Sequence, residues 1–472
     1  MSYIPTIGLE VHAELNTKSK MFCGCTNEPH GSEPNANICP VCMAHPGSLP
    51  VPNEKAIEMV LLFGQAVNAT AAKYSEFDRK NYFYPDIPKA YQISQYAFPF
   101  LTAGELKGVE LTRVHLEEDT ARSQHDKGEE SLVDFNRAGV PLMELVTEPV
   151  IHDAATAGAF ARELQLLLRT LGISKANMEK GEMRVEANIS VSKDSTKLGT
   201  KVEVKNLNSF KSVEAAIDYE IKRQIELLEA GNSVAQETRG WDENNNKTFT
   251  QRSKETAKDY RYFPDPDIPK INITEHAAFN KSVLAEKMPV LPNEKRIKYD
   301  NLGLPSLVIE NIISNEELDK FFSEVVENPS LTPEVIKLAG NYLNSDVTAI
   351  IFVADSPVSL STLKVGHFIE LMNMLADGKI GSRVAKDILV ELFNSDVSPM
   401  AIAEDRGLLQ VSDEAALLPI IQQIISENPS VVAEYKSGKE ASLKFLLGQA
   451  MKQTRGAANP EVLSKLFIDL IK

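Results

Sequence analysis

The sequence predicts an α+β protein: an antiparallel or mixed sheet with one open face and helices between its strands, followed by an all-helical C-terminal half. Three observations carry this. Strand-like segments in the first part of the chain are apolar on one side and charged on the other. Amphipathic helices lie between them. After a compositional break near residue 290 only helical spacing remains.

The first strand is IGLEVHAEL. Ile7, Leu9, Val11 and Ala13 fall on one face and Glu10, His12 and Glu14 on the other, because side chains alternate along a strand. MRVEANISVS sets Met183, Val185, Ala187, Ile189 and Val191 against Arg184, Glu186, Asn188 and Ser190. TKVEVKN sets Val202 and Val204 against Lys201, Glu203 and Lys205. One packed and one polar face suits a sheet open on one side better than a doubly wound parallel sheet. Between the strands, Asp153 caps a helix that stops at Gly172, and a second helix runs over 210–231 to Gly231. PVLPNEKR reads as a linker or domain start. Beyond it ISNEELDKFFSEVVEN, LSTLKVGHFIELMNMLADGK, SRVAKDILVELFN and ALLPIIQQIISENP are amphipathic at helical spacing, and a break near SPMAIAEDRGLLQ divides this half in two. The expected domains are 1–291, with a loop at 23–42, then 292–402 and 403–472. An echo links NYFYPDIPKAY (81–91) to YRYFPDPDIPK (260–270).

A length of 472 residues allows two to four domains. No basic stretch followed by an apolar run opens the chain, and no apolar run reaches membrane-spanning length, so the expected setting is cytoplasmic, without a membrane partner. The formal net charge of -16 argues against a general nucleic-acid binder, so any RNA contact must use local patches. The last 42 residues reverse the sign, with seven Lys/Arg against four Asp/Glu, although a solvated helix face reads the same way.

The phosphate loop GxxxxGK[ST], the dinucleotide GxGxxG and the GxSxG elbow are all absent. Any use of ATP must then rest on carboxylate-bound metal and basic side chains. Glu10 and His12 share a strand face. Glu144 sits between Leu142 and Val146, where a carboxylate is costly unless paired or metal-bound, and RVHLEEDT adds Glu117, Glu118 and Asp119. Hard oxygens with one imidazole suit Mg²⁺ or Mn²⁺ shared with phosphates. The alternative is a buried carboxylate bonded to an arginine or a backbone amide. The basic set is Arg79, Lys80, Lys89, Arg184, Lys201, Lys205 and Arg261. Phosphoryl transfer needs such cations, yet each singly fits a salt-bridged sheet face. All four cysteines lie within 23–42, as Cys23-Gly-Cys25 and Cys39-Pro-Val-Cys42, spacing that suits a tetrahedral structural Zn²⁺ site. Reduced free thiols are the alternative.

IGLEVHAEL, FDRKNYFYPDIPKAYQISQY, HLEEDT, SLVDFNRAGVPLMELVTEP, MRVEANIS, KVEVKNLNSF, QETRGWDE, YRYFPDPD, GKIGSRVAKDIL and SLKFLLGQAMKQTRGAANPEV follow one another in order. Together they resemble the B-subunit family of aspartyl/glutamyl-tRNA amidotransferases, the GatB/GatE family. The chain has no room for the synthetase-like insertion of the archaeal GatE homologue. The resemblance implies a cradle domain of the glutamine synthetase and guanidino kinase type, then a helical domain and a small YqeY-like tail that meets the tRNA. It implies ATP-dependent phosphorylation of the side-chain carboxylate of Glu-tRNA(Gln) or Asp-tRNA(Asn). Ammonia from a glutaminase partner, the amidase of the heterotrimer, then displaces the phosphate, and a small third partner braces the assembly. The family's Mg²⁺ motif maps onto Glu10, His12, Glu118 and Glu144. In a regular strand, however, Glu118 continues the Val114/Leu116 face and Glu117 the opposite one, so a bulge would decide between them. Arg79, Lys80, Arg184, Lys201 and Lys205 match family segments and are expected at phosphate or acceptor-end contacts, with Glu186 and Asn188 beside Arg184 orienting substrate or nucleotide. Some members lack the four cysteines, which places their zinc in loop structure rather than in the chemistry. Two rivals remain: a free-standing carboxylate–amine ligase, and an RNA-binding assembly factor with a degenerate site.

Overall fold

The computed structural model describes residues 2–124, 130–253, 260–353, 358–410, 414–454 and 458–471. The tail residues 455–457 of the resembling segment therefore lie outside it. The chain forms two compact units, Met1–Pro292 and Asn293–Lys472. Among the described residues no helix is long and apolar enough to cross a membrane.

The first unit is built on β1 (Ile4–Glu14), α1 (Glu54–Ala66), β2 (Asp78–Asn81), β3 (Tyr91–Ser94), β4 (Val109–Glu118), β5 (Pro141–Thr147), α2 (Ala154–Thr170), β6 (Met183–Ser192), β7 (Val202–Leu207), α3 (Phe210–Glu229), β8 (Glu237–Asp242) and β9 (Lys247–Ser253). Among the described residues a ten-stranded sheet runs in the order β9-β8-β7-β6-β1-β5-β4 and continues through the short strands Leu101–Thr102 and Thr70–Ala71, with Glu105–Leu106 paired to β4 off this path. It is mixed: β7 and β8 are parallel, joined through α3, while the pairs from β6 to β4 are antiparallel.

Register fixes what each face carries. His12 lies opposite Arg184 on one side and Glu144 on the other, and Glu144 lies opposite His115. Directly opposed residues share a face, so Glu186, Glu10, His12, Glu144, His115 and Glu117 form one polar surface. The other face holds Ile7, Leu9, Val11, Met143, Leu145, Val114, Leu116, Val185, Ala187, Val202 and Val204, all buried with Phe160, Leu164 and Leu168 of α2 and Val213 and Ile217 of α3. Burial of each large side chain contributes about 1.5–3 kcal/mol. The predicted caps are present: Asp153 accepts from the Thr156 amide at 2.7 Å, α3 is capped by Ser209, and Gly172 and Gly231 take positive φ beyond the helix ends.

PVLPNEKR, read as a linker or domain start, spans the boundary between the two units. Pro292 opens the helix Pro292–Asn301, a position that suits its fixed φ and missing N–H. The predicted break at SPMAIAEDRGLLQ contains a short helix, Pro399–Asp405, capped by Ser398. The last four helices, from Glu414 to Ile471, enclose a core of their own around Leu417, Ile421, Leu446, Leu463 and Phe467.

Candidate functional site

The polar face of β1, β4, β5 and β6 gathers carboxylates around one imidazole. His12 Nε2 lies 3.4 Å from Glu144 Oε2, 3.7 Å from Glu117 Oε1 and 3.9 Å from Glu10 Oε1. His115 Nε2 approaches the same Glu144 oxygen at 3.1 Å, and Lys80 Nζ reaches Glu117 at 3.5 Å. Glu117 and Glu144 are buried. Burial alone would disfavour the imidazolium, but Glu144, Glu186 and Glu117 outweigh it and lift the His12 pKa to about 9. Burial, with Glu144 adding repulsion, pushes Glu10 up to about 6. Against burial, His115 and His12 hold Glu144 well below the usual carboxylate range.

Ligand-type atoms of Glu10, His12 and Glu144 converge within 4.8 Å, as do those of His115, Glu117 and Glu144, and those of Glu10, Glu186 and Glu203. Crowded carboxylates around the imidazoles of His12 and His115 fit a hard divalent cation, whose charge offsets theirs. The Nδ1 of His115 and the Oδ1 of Asn188 are buried with no protein partner.

Glu118 is the correction to the sequence reading. β4 stays regular across this point, so Glu118 continues the Val114/Leu116 side and leaves the cluster. Its carboxylate meets Lys89 Nζ at 2.6 Å and accepts from the Ile93 amide at 2.9 Å. It lines a cavity of about 240 Å³ with Cys23, Cys42, Lys89, Tyr91 and Gly139. Glu117 takes the place beside His12.

The predicted cations divide. Lys80 stands at the cluster. Arg184 donates to the buried Asp119 at 2.8 Å, and Arg137 adds a second cation at 3.6 Å. Despite burial, these two arginines hold the Asp119 carboxyl below its ordinary value. Lys205 bridges Glu186 at 2.6 Å and Glu203 at 3.6 Å, and Glu186 with Glu203 raises its pKa against the effect of burial. Arg79 lies apart, bonded to Asp265 at 2.8 Å and Asp267 at 3.1 Å, with its guanidinium over the Tyr91 ring. Lys201 is exposed just before β7, and Arg261 is exposed at a positive φ. Residue-by-residue reading missed Arg113 and His115. The signal was present, since Arg113, His115 and Glu117 alternate with Val114 and Leu116 along one strand.

The four cysteine sulfurs lie within 4.8 Å of one another, with Cys39 and Cys42 at 3.9 Å. A tetrahedron with bonds of about 2.3 Å has edges of about 3.8 Å, so the set fits zinc. Hydrogen bonding from Cys23 holds the Cys42 thiol down at about 5, and burial pushes Cys25 up to about 11. Lys20 is fully buried. Its ammonium donates to Ala138 O at 2.7 Å and Phe135 O at 3.2 Å, with Cys42 Sγ at 3.9 Å. A buried cation suits a dication held by four thiolates, whose net charge is negative. The loop is tied to the polar face: the Met21 amide donates to Gly139 O at 2.7 Å, and the Gly139 amide to Asp119 O at 2.9 Å. Gly139 sits at φ +86°, where a side chain would be strained.

Residues 5–278 match the family model of the GatB/GatE catalytic domain, and residues 320–471 that of the GatB domain. The B subunit of the aspartyl/glutamyl-tRNA(Asn/Gln) amidotransferase of Caldanaerobacter subterraneus subsp. tengcongensis is 42% identical over 477 residues, covering 99% of both chains. The protein of the same name from Persephonella marina is 41% identical over 482 residues, and that from Thermotoga petrophila 40% over 487, each covering 100% of both chains.

Proposed function

The chain belongs to the GatB/GatE family, and from that premise we propose how its polar sheet face forms an amide on misacylated tRNA. The protein is the B subunit of a glutamine-hydrolysing aminoacyl-tRNA amidotransferase, and the reaction converts Glu-tRNA(Gln) or Asp-tRNA(Asn) to the amide. The observation that carries the site assignment is the convergence of Glu10, Glu117 and Glu144 on His12.

A carboxylate is a poor electrophile because its leaving group would be oxide. Phosphorylation removes that barrier. One carboxylate oxygen of the aminoacyl group attacks the γ-phosphorus of ATP, and the bond to ADP breaks. Ammonia nitrogen then attacks the acyl carbon, the C–O bond to phosphate breaks, and the phosphate carries away a proton. Glu10, His12, Glu117 and Glu144 would hold Mg²⁺ or Mn²⁺, which when bound neutralises phosphate charge. Lys80 places an ammonium beside the cluster, where phosphoryl oxygens gain charge. Arg184, fixed by Asp119, and Lys205, fixed by Glu186 and Glu203, present cations on the neighbouring strands for phosphate or for the acceptor end. Asn188, with its buried oxygen, orients a donor of substrate or nucleotide. Lys201, exposed just before β7, is free to meet the acceptor end, whereas Arg79 is engaged by Asp265 and Asp267.

The four-cysteine loop takes a structural zinc that steadies the segment after β4 that carries Asp119. Residues 1–291 form the cradle, 292–402 a helical domain, and 403–472 a tail that meets the tRNA. The assembly is a heterotrimer in the cytoplasm, completed by a glutaminase (the amidase partner) and a small bracing protein. The test is an ATPase and amidation assay on the assembly with Mg²⁺, ATP, glutamine and either misacylated tRNA. ATP cleavage that requires misacylated tRNA, with amide on the tRNA, is the expected result. Cleavage with free glutamate alone would mean a ligase of small acids, and tRNA binding without turnover would mean a binding module.

A further inference from the structure

The echoed segments at 81–91 and 260–270 meet in space. Phe263 and Pro264 pair antiparallel with Arg79 and Asp78 of β2, and the Asn81 amide donates to Tyr260 O at 2.9 Å. Their rings form a plate. Tyr82 meets Tyr260 edge-on at 5.8 Å between centroids, Tyr260 meets Tyr262 edge-on at 6.1 Å, and Tyr96 stacks on Tyr262 at 4.6 Å and 14°. Such contacts lock the rings against one another. Yet Tyr96 is 61% exposed, Tyr260 37%, and Tyr84, which meets Tyr82 edge-on, 44%. Clustered exposed aromatics on one surface mark a binding site rather than a core.

The plate adjoins the reacting centre. Lys80 Nζ lies 5.5 Å from the Tyr260 ring centroid and 3.5 Å from Glu117. A ligand whose reacting end sits at the carboxylate cluster therefore carries its next groups past Lys80 onto these rings. Rigid aromatic faces beside a cation are the chemistry that stacks unpaired bases. Five tyrosine rings follow one another in contact, from Tyr84 through Tyr82, Tyr260 and Tyr262 to Tyr96, at centroid steps of 4.6–6.1 Å, and a row of rings favours a strand of several bases over a single adenine.

We propose that this plate stacks the unpaired bases at the 3′ end of the misacylated tRNA and so anchors the aminoacyl ester over the cluster. The proposal rests on the amidation reading above. The test uses the assembled enzyme with Tyr96→Ala, Tyr260→Ala and Tyr84→Ala, and with Tyr96→Trp and Tyr260→Trp as variants that keep a ring. Each lost stack raises KM for misacylated tRNA by on the order of tenfold. KM for ATP, kcat and the melting temperature stay unchanged, and the Trp variants keep wild-type KM. Tyr96→Ala, at the most exposed of these rings, carries the test if the Tyr260 variants fold poorly. An unchanged KM for tRNA in a folded alanine variant overturns the proposal. So does a rise confined to the KM for ATP, which would assign the rings to adenine of the nucleotide. Loss of assembly with the partner proteins would make the plate a protein interface and also overturn it. If the wild-type assembly itself makes no amide, the amidation reading has failed instead.

Discussion

Glu117 and Glu118 are adjacent and chemically identical, yet the structure gives them different roles, so Glu117→Gln and Glu118→Gln should fail differently. Glu118 holds the Lys89 ammonium at 2.6 Å, where the lysine side chain is 11% exposed. Removing the charge leaves a buried ammonium without its counter-ion. The full loss of such a partner costs about 3–5 kcal/mol, but Gln keeps an acceptor for the Ile93 amide or for Lys89, so about 2–3 kcal/mol is expected. That corresponds to roughly 3–5 °C in melting temperature for the unit Met1–Pro292. Glu117 contributes its charge to a crowded cluster, where the lost attraction to Lys80 is offset by relief from Glu144. Its stability effect should stay within about 1 kcal/mol. Loss of a ligating carboxylate should weaken Mn²⁺ binding by more than the roughly 10–100-fold typical of an outer-sphere change. Thermal melting and Mn²⁺ titration by electron paramagnetic resonance separate the two. A Glu118→Gln protein that melts like wild type but no longer binds Mn²⁺, beside a Glu117→Gln protein that binds it normally, would refute the reasoning.

The pH dependence follows from Asp119. Its folded pKa lies below the ordinary 3.8, so its stabilising contribution is present above pH 3.8 and is lost as pH falls through the depressed folded value. Asp119→Asn should cost about 2–3 kcal/mol at pH 7 and remove that part of the acid loss, as read from urea midpoints between pH 7 and 3. Metal analysis should find about one zinc per chain, absent in Cys39→Ser, and chelation of that zinc should lower the melting temperature of the first unit. Phe467→Ala, at a fully buried ring, should cost the last four helices about 3–5 kcal/mol and leave the melting of the first unit unchanged, as measured by calorimetry.

Alternation made the sheet legible. Once Ile7, Leu9 and Val11 are assigned inward, Glu10 and His12 must point outward together, and the same rule applied to Val114 and Leu116 selects Glu117 over Glu118. It also selects Arg113 and His115, which single-residue inspection passed over. What alternation cannot give is strand order, because pairing is a relation between distant segments. That β5 lies between β1 and β4, bringing Glu144 against both histidines, follows from register alone. The arginines show the same limit. Arg79 and Arg184 look alike as isolated cations, but Arg184 lies opposite His12 while Arg79 is held by Asp265, almost two hundred residues away in sequence. The aromatic echo was visible as a repeat, and only its pairing in space turned it into a surface.

The most direct test of carboxylate activation is isotopic. The assembled enzyme would be given misacylated tRNA whose side-chain carboxylate carries ¹⁸O at both oxygens, with unlabelled ATP, glutamine and water, and the inorganic phosphate released during amide formation would be weighed by mass spectrometry. Transfer of one ¹⁸O to each phosphate is predicted, because the acyl–phosphate bond forms through a carboxylate oxygen and breaks on the acyl side. Unlabelled phosphate accompanying amide formation would contradict the account.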